Sequence, residues 1–130
     1  MNVYIDPGSW VHWKRTEEFR ESTIIIKELV SVGAKQSASG NGYFQGEFLG
    51  IAAAVKSKRR SPNAPNNWGY YAFEGEGKTT RAQADTACAA CHKENAEHDM
   101  VFTQHYPVLR AAAAINKAPK HKQSVGTRSR

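Results

Sequence analysis

No segment of this sequence approaches the roughly 20 consecutive apolar residues that a membrane-spanning helix requires. Sulfur is scarce as well, because the 130 residues include only two Cys and two Met. The opening segment MNVYIDPGSW has no basic stretch followed by an apolar stretch, so no signal peptide is visible. With 40% hydrophobic and 23% charged residues, the composition is that of one ordinary globular domain, and we expect no membrane span.

The formal net charge of +6 is concentrated at the C-terminal end of the chain. Residues 117–130 contain no acidic residue, and their basic residues are Lys117, Lys120, Lys122, Arg128 and Arg130. A segment with so few apolar groups cannot offset the entropy lost on ordering, so we predict a disordered tail at 117–130 after a nearly neutral domain at 1–116. The other basic cluster, at 56–60, is too small a patch of positive charge to indicate nucleic-acid binding, so we predict no nucleic-acid partner.

Strand patterns dominate the first two thirds of the chain. The segment 22–32 (STIIIKELVSV) is rich in β-branched residues and apolar on both faces, which predicts an interior strand. Further strands are predicted at 43–56, as one strand or a bent pair, and at 68–73, with a loop at 61–67 between them. A short helix is predicted at 10–21, with Trp10, Trp13 and Phe19 on its apolar side.

Helical patterns follow the strands. The alanine-rich segment TTRAQADTACAACHKENAEHD favours a helix by propensity. Pro107 suits the first turn of a last helix at 107–116, where its missing N–H costs little. Strands first and helices afterwards predict a β-rich α+β fold.

The two cysteines lie together with a histidine in the motif C-A-A-C-H, formed by Cys88, Cys91 and His92. Thiols three residues apart on one helical turn reach the two vinyl groups of a haem, and the next residue presents its imidazole to the iron. The motif therefore predicts a covalently attached c-type haem. Three alternatives stay open: a redox pair, although its βαβ context is missing, a zinc site completed by scattered histidines such as His98 and His105, and a plain disulfide.

The residues around the motif bear on the second axial position of the iron. Met100 follows His92 by only eight residues, so it reaches the opposite face of a haem with difficulty. Histidines 12, 98 and 105 are the other candidates, and each is more commonly a surface or core residue. We therefore expect a five-coordinate iron with an open position for a small ligand.

Glycines alternate with aromatic residues along one face of the strand at 43–56, in the series Phe44, Gly46, Phe48 and Gly50. Glycine weakens a strand unless something approaches the backbone closely, and a flat haem edge would do so. A bulge or a tight bend explains the same glycines equally well. Both interpretations stay open from the spacing alone.

Residues 3–110 resemble the cytochrome P-460 family, hydroxylamine-oxidising c-type haem proteins of ammonia- and methane-oxidising bacteria. The matching segments are VYIDPGSWVHWKRTEEFRESTIIIKELVSVG, GNGYFQGEFLGIAAAVKSKR, NNWGYYAF and CAACHKENAEHDMVFTQHYPVLR. The resemblance implies an antiparallel sheet that forms a haem pocket, with the attachment motif on a C-terminal helix. Because the family usually continues further at its N-terminus, we expect residues 1–116 to be an N-terminally incomplete haem domain.

The resemblance also implies roles for individual residues. Cys88 and Cys91 form the thioether links to one haem c, and His92 is the ligand of its iron. Lys27 matches the lysine that forms an additional covalent bond to the porphyrin in this family, which would tune the haem. Without the resemblance, the sequence pattern predicts that Lys27 lies on an edge strand and extends its amine to solvent. Hydroxylamine oxidation also releases protons, and Glu97 is the candidate carboxylate that accepts them, ahead of Glu94.

The resemblance leaves two functions open. One is an enzyme that oxidises hydroxylamine to nitrous or nitric oxide and passes electrons to an acceptor such as another cytochrome. The other is a haem protein without turnover. It would either transfer electrons only or act like the relatives called cytochrome c-prime-beta, which lack the lysine bond and bind nitric oxide or carbon monoxide under an aromatic cap. Phe44 and Phe48 are the candidates for that cap. By resemblance we expect a periplasmic homodimer.

Overall fold

The computed structural model describes residues 1–74, 80–82 and 85–117. Within these ranges the elements, in chain order, are β1 (Asn2–Ile5), α1 (Pro7–Thr16), β2 (Ile24–Val32), β3 (Gln36–Ser37), β4 (Gly40–Asn41), β5 (Gln45–Lys56), β6 (Trp68–Glu74), β7 (Thr80–Ala82), α2 (Asp85–Asn95) and α3 (Pro107–Lys117). Short 3-10 turns at Pro65–Asn67 and Thr103–His105 precede β6 and α3. The β-rich α+β prediction is confirmed.

Five strands form one antiparallel sheet in the order β1-β2-β5-β6-β7, and β3 pairs with β4 as a separate hairpin. The prediction that the IIIKELV segment forms an interior strand is confirmed, because β2 pairs with β1 on one side and with β5 on the other. The short edge strands β1 and β7 were not predicted, since three or four residues carry too little alternation to be recognised.

Helix α1 begins and ends earlier than the predicted range of 10–21. The Asp6 carboxylate caps its first turn by accepting a hydrogen bond from the backbone N–H of Ser9 at 2.9 Å, and Pro7 fits the first helical position. The helix ends at Thr16 because Glu17 takes a left-handed φ of 59° and its N–H bonds to the Trp13 carbonyl. Phe19 therefore lies beyond the helix, although its ring stacks on Trp13 with centroids 4.4 Å apart.

The helices cover one face of the sheet, called here the helix face. A row of cross-strand partners runs along it from Ile5 through Ile25 and Ala54 to Tyr70. Above this row lies the core cluster, whose buried residues are Trp13, Phe19, Trp68, Tyr70, Ala89, Met100, Val101, Leu109 and Ala112. Burial of these side chains supplies the main driving force that holds the three helices on the sheet.

The opposite face of the sheet, called here the outer face, is also apolar. Its central row runs Tyr4, Ile26, Ala53 and Tyr71. Several of its large side chains are exposed, with 54% for Tyr4 and 40% for Ile24. The buried apolar residues contributed by the described helices belong to the cluster on the helix face instead.

The glycines of β5 have a local structural explanation. A Cβ on Gly46 would lie 2.3 Å from Ser31 Oγ and 2.9 Å from the Gly33 nitrogen. Gly46 is therefore needed because residues 31–33 of the same chain approach its backbone closely. Gly50 has a φ of +153°, at a point where the register between β2 and β5 shifts. The interpretation as a bulge or bend is therefore the one that the structure supports.

Helix α3 begins at Pro107, as predicted, and extends one residue further than the predicted 107–116. The tail predicted at 117–130 overlaps α3 only at Lys117, and residues 118–130 lie outside the described part of the chain. None of the described helices has the length and apolar character needed to cross a bilayer.

Candidate functional site

The motif cysteines lie on α2, one helical turn apart. Cys88 is half-buried and packs against the core cluster, whereas Cys91 is exposed. The two thiols are not joined in a disulfide. Residues three positions apart share one side of a helix, so both thiols face the same region, as double attachment to a single haem requires.

His92 follows the cysteines, and its imidazole Nδ1 lies 2.6 Å from the backbone carbonyl oxygen of Met100. A carbonyl oxygen only accepts hydrogen bonds, so Nδ1 carries the proton and donates it. In the neutral ring, Nε2 then keeps its lone pair and is the nitrogen available to a metal. A histidine held in this way by its other nitrogen is the usual arrangement of a metal-ligating imidazole.

A tight turn presents the Met100 carbonyl to His92. His98 and Val101 exchange backbone hydrogen bonds of 2.8 and 3.4 Å, and the two residues between them have φ values of +45° for Asp99 and +64° for Met100. Positive φ at both central residues is typical of a type I′ hairpin turn. The Met100 side chain is buried in the core cluster, so both its backbone and its side chain hold the turn against α2.

The C-terminal end of α2 is closed by hydrogen bonds to its last carbonyl groups. Asn95 Nδ2 donates to the Cys91 carbonyl at 2.9 Å, and Gln104 Nε2 donates to the Asn95 carbonyl at 2.6 Å. The Ala96 N–H donates to the His92 carbonyl at 2.9 Å. Because unpaired carbonyls at a helix end are costly when shielded from water, these bonds fix the last turn, which carries the motif.

Two aromatic rings contact the imidazole of His92. The ring centroid of Tyr70 lies 4.8 Å away and that of Phe102 lies 4.6 Å away. Tyr70 comes from β6 on the helix face, and Phe102 follows the tight turn. Sequence reasoning missed both residues. The one available signal was the position of Tyr70 within the apolar segment WGYYAF, which predicts burial but not contact with a histidine.

Lys27 lies on the same face of the sheet as Tyr70. It pairs with Val3 on β1 and with Ala52 on β5, and Ala52 pairs in turn with Ala72 on β6. This row is the next one after the row that contains Tyr70. From strand spacing and rise, the backbone of Lys27 lies about 12 Å from that of Tyr70. Lys27 is exposed, and the next two residues of its row, Ala52 and Ala72, are half-buried.

The other predicted site residues lie elsewhere. The exposed Glu97 carboxylate accepts a hydrogen bond of 3.4 Å from Thr103 Oγ1 and lines a cavity together with Trp13. Phe48 is 51% exposed and pairs with Val30 beyond the shift in register. The half-buried Phe44 lies just before β5. Their roles as base and aromatic cap stay predictions.

A family model described as cytochrome P-460 matches residues 1–103. This match covers most of the chain, including β1 to β7 and the whole of α2. The chain belongs to the cytochrome P-460 family. No curated protein sequence matches this cytochrome.

Membership of this family implies a haem cofactor, and the described residues fit that group. The His92 imidazole offers Nε2 as a ligand, since Nδ1 is engaged by Met100. Cys91 directly precedes His92 on α2, and Cys88 lies one turn earlier on the same helix. Ala52 and Ala72, which pair on the same face of the sheet as Tyr70, carry only methyl groups.

Proposed function

We propose that this protein is a periplasmic, mono-haem c-type cytochrome that oxidises hydroxylamine to nitrous or nitric oxide. The observation that carries the proposal is the hydrogen bond from His92 Nδ1 to the Met100 carbonyl, because it fixes the tautomer and orientation of an iron ligand. Family membership supports the haem, and the C-x-x-C-H motif supports its covalent attachment.

Three residues of α2 hold the cofactor in this proposal. The Cys88 and Cys91 sulfurs would form the thioether links, and His92 Nε2 would be the ligand to the iron. When bound, the haem would supply an iron centre that accepts the electrons of hydroxylamine. The Met100 side chain does not serve as a second ligand, because its backbone lies on the Nδ1 side of His92 and its side chain belongs to the core cluster.

Lys27 is proposed to bond covalently to the porphyrin. Its place on the helix face, one row beyond Tyr70, supports this role, since a ring attached to α2 and lying over Ala52 and Ala72 would extend toward it. Such a bond would distort the macrocycle, which is one way in which a protein changes haem reactivity. A snorkelling lysine remains the competing interpretation, because Lys27 is exposed.

Oxidation of the hydroxylamine nitrogen releases protons together with electrons. Glu97 is the proposed proton acceptor, as a carboxylate placed shortly after the motif. Its hydrogen bond from Thr103 leaves further acceptor positions on the carboxylate. The electrons pass to a separate acceptor protein, for which another cytochrome is proposed.

A second candidate function is binding of nitric oxide or carbon monoxide without turnover, as in the relatives called cytochrome c-prime-beta. Family membership supports this candidate, and the half-buried Phe44, just before β5, is its proposed aromatic cap. Phe48 pairs with Val30, which shares the outer face with Ile26, so its 51% exposure does not support a cap on the face of Tyr70. The two functions differ in whether Lys27 is bonded to the ring.

The test is the visible spectrum of the dithionite-reduced holoprotein, made in a host that matures periplasmic c-type cytochromes. The wild type is compared with Lys27→Ala and with Lys27→Arg, which keeps the positive charge. We expect a strongly red-shifted Soret band in the wild type and an ordinary c-haem band in both variants. An ordinary band in all three proteins favours gas binding, and a wild type without covalent haem contradicts both functions.

We also propose that the protein is a homodimer that associates through the outer face of the sheet. This face carries Tyr4, Ile24 and Ile26, and exposed apolar surface of this kind is typical of an association site. The periplasmic location is proposed because covalent haem attachment normally takes place outside the bacterial cytoplasm.

A further inference from the structure

The turn at residues 98–101 has unfavourable backbone φ angles, and it is held by side-chain contacts with other parts of the fold. Asp99 and Met100 both have positive φ, a region that L-residues other than Asn and Asp avoid because Cβ crowds the carbonyl oxygen. Methionine has no local reason to adopt this conformation. Such a turn persists only where tertiary contacts hold it, and strained residues of this kind are common at functional sites.

The contacts that hold this turn are made by the Asp99 carboxylate. Its Oδ2 forms an ion pair with Nζ of Lys56, the last residue of β5. Its Oδ1 accepts a hydrogen bond of 2.9 Å from Nδ2 of Asn66, in the loop before β6. The side chains of Lys56 and Asp99 are only 19% and 16% exposed, so solvent screens this pair less than an ordinary surface pair. Asp99 is thus tied to the sheet and to a loop at once.

Lys56 is itself fixed on the helix face. Its Nζ lies 5.7 Å from the ring centroid of Trp68, its cross-strand partner on β6, and Trp68 is buried. A cation over an aromatic face gains electrostatic attraction from the ring. A chain of contacts therefore runs from Trp68 at the start of β6 through Lys56 to Asp99, and through the backbone of Met100 to His92.

We propose that Lys56 and Asp99, supported by Asn66, are positioning residues for His92. They hold the Met100 carbonyl against Nδ1, and this hydrogen bond raises the electron donation of Nε2 to the iron. They act through the turn and touch neither the iron nor the substrate. The inference rests on the proposed function, since it requires a haem on His92.

The test uses the reduced holoprotein with Lys56→Met, which keeps an unbranched side chain one atom shorter and removes its charge. Once the Met100 carbonyl is no longer held, we expect a lower Fe–His stretching frequency by resonance Raman and a reduction potential shifted upward, because a weaker donor favours ferric iron less. Loss of such an outer contact typically reduces activity about 10- to 100-fold. Lys56→Arg, which keeps the charge, should stay close to the wild type.

Arg20→Met is the matched control, because it removes the ion pair of Arg20 with Asp6 at the start of α1. It should lower stability without moving the stretch or the potential. Equal shifts in Arg20→Met and Lys56→Met would overturn the inference, as would unchanged values in a folded Lys56→Met protein. If Lys56→Met does not fold, Asp99→Asn replaces it with the same expected shifts. A wild type without haem would instead overturn the proposed function, and this inference with it.

Discussion

Lys27 lies directly opposite Ala52 in the antiparallel pairing of β2 with β5, on the face of the sheet that also carries Tyr70. Ala72 continues the same row on β6. Along this row, the long side chain of Lys27 is therefore followed by the methyl groups of Ala52 and Ala72. In the proposed function, a haem attached to α2 would lie over these two methyl groups, and the Lys27 amine at the end of the row would bond to it.

The first prediction concerns this alanine row. Ala72→Leu should keep its thioether haem, because Cys88 and Cys91 are unchanged, but the added bulk should hold the ring off the sheet and prevent the Lys27 bond. The measurement is the Soret position together with the mass of the haem peptide. Phe73→Trp, which adds bulk on the outer face at the next position, is the control. A normal Lys27 bond in Ala72→Leu would contradict a ring placed over the sheet.

A second prediction separates the backbone of Met100 from its side chain. Met100→Leu keeps the carbonyl that holds His92 and replaces one buried apolar side chain with another of similar volume, so the free energy of unfolding should fall by less than about 1.5 kcal/mol. The ferrous and ferric haem spectra should not change. A spectral change that indicates loss of an axial sulfur ligand would show that Met100 binds the iron and that the site is not open.

The third prediction uses the pH dependence of stability at Asp6. Burial raises the pKa of its carboxyl, but hydrogen bonds from Ile24, Ser9 and Arg20 outweigh this effect and lower the pKa from 3.8 to about 2. Because the folded-state pKa is lower than the unfolded one, the stabilisation is complete above about pH 4 and is lost as the pH falls through 2.

Asp6→Ala should therefore destabilise the protein by about 1 kcal/mol at neutral pH, the usual cost of losing a helix cap. Thermal unfolding measured from pH 7 down to pH 2 checks the dependence. The difference between wild type and Asp6→Ala should shrink at the acid end, while Asp6→Asn, which keeps a capping oxygen, should lose less than Asp6→Ala throughout. A difference that stays constant over this range would refute the assigned role of the charge.

The fourth prediction concerns association through the outer face. Ile24 is 40% exposed on this face, so Ile24→Lys should not prevent the monomer from folding. The lysine would place a charge in the proposed interface and should therefore prevent association. Molar mass from light scattering should fall from that of a dimer to that of a monomer. Val11→Lys, at an exposed position of α1, should leave the dimer intact. A monomeric wild type would exclude association through this face.

Much of the fold could be predicted because its signals are local. Strand β2 is β-branched on both faces, and it lies between two partners as that pattern indicates. Pro107 begins α3 at the predicted residue. The errors lie where a capping contact or a short length decides the outcome: the Asp6 cap moved the start of α1, and β1 was too short to be recognised.

For the site, the sequence by itself determined the C-x-x-C-H motif, because Cys88, Cys91 and His92 need only the spacing of one helical turn. Only the tertiary structure decided which groups hold that motif. A carbonyl such as that of Met100 has no sequence signature, since every residue carries one. The contacts of Tyr70 with His92 and of Lys56 with Asp99 join elements far apart in the chain. Such partners are chosen by packing on the sheet rather than by local spacing, and so they appear only once the chain is folded.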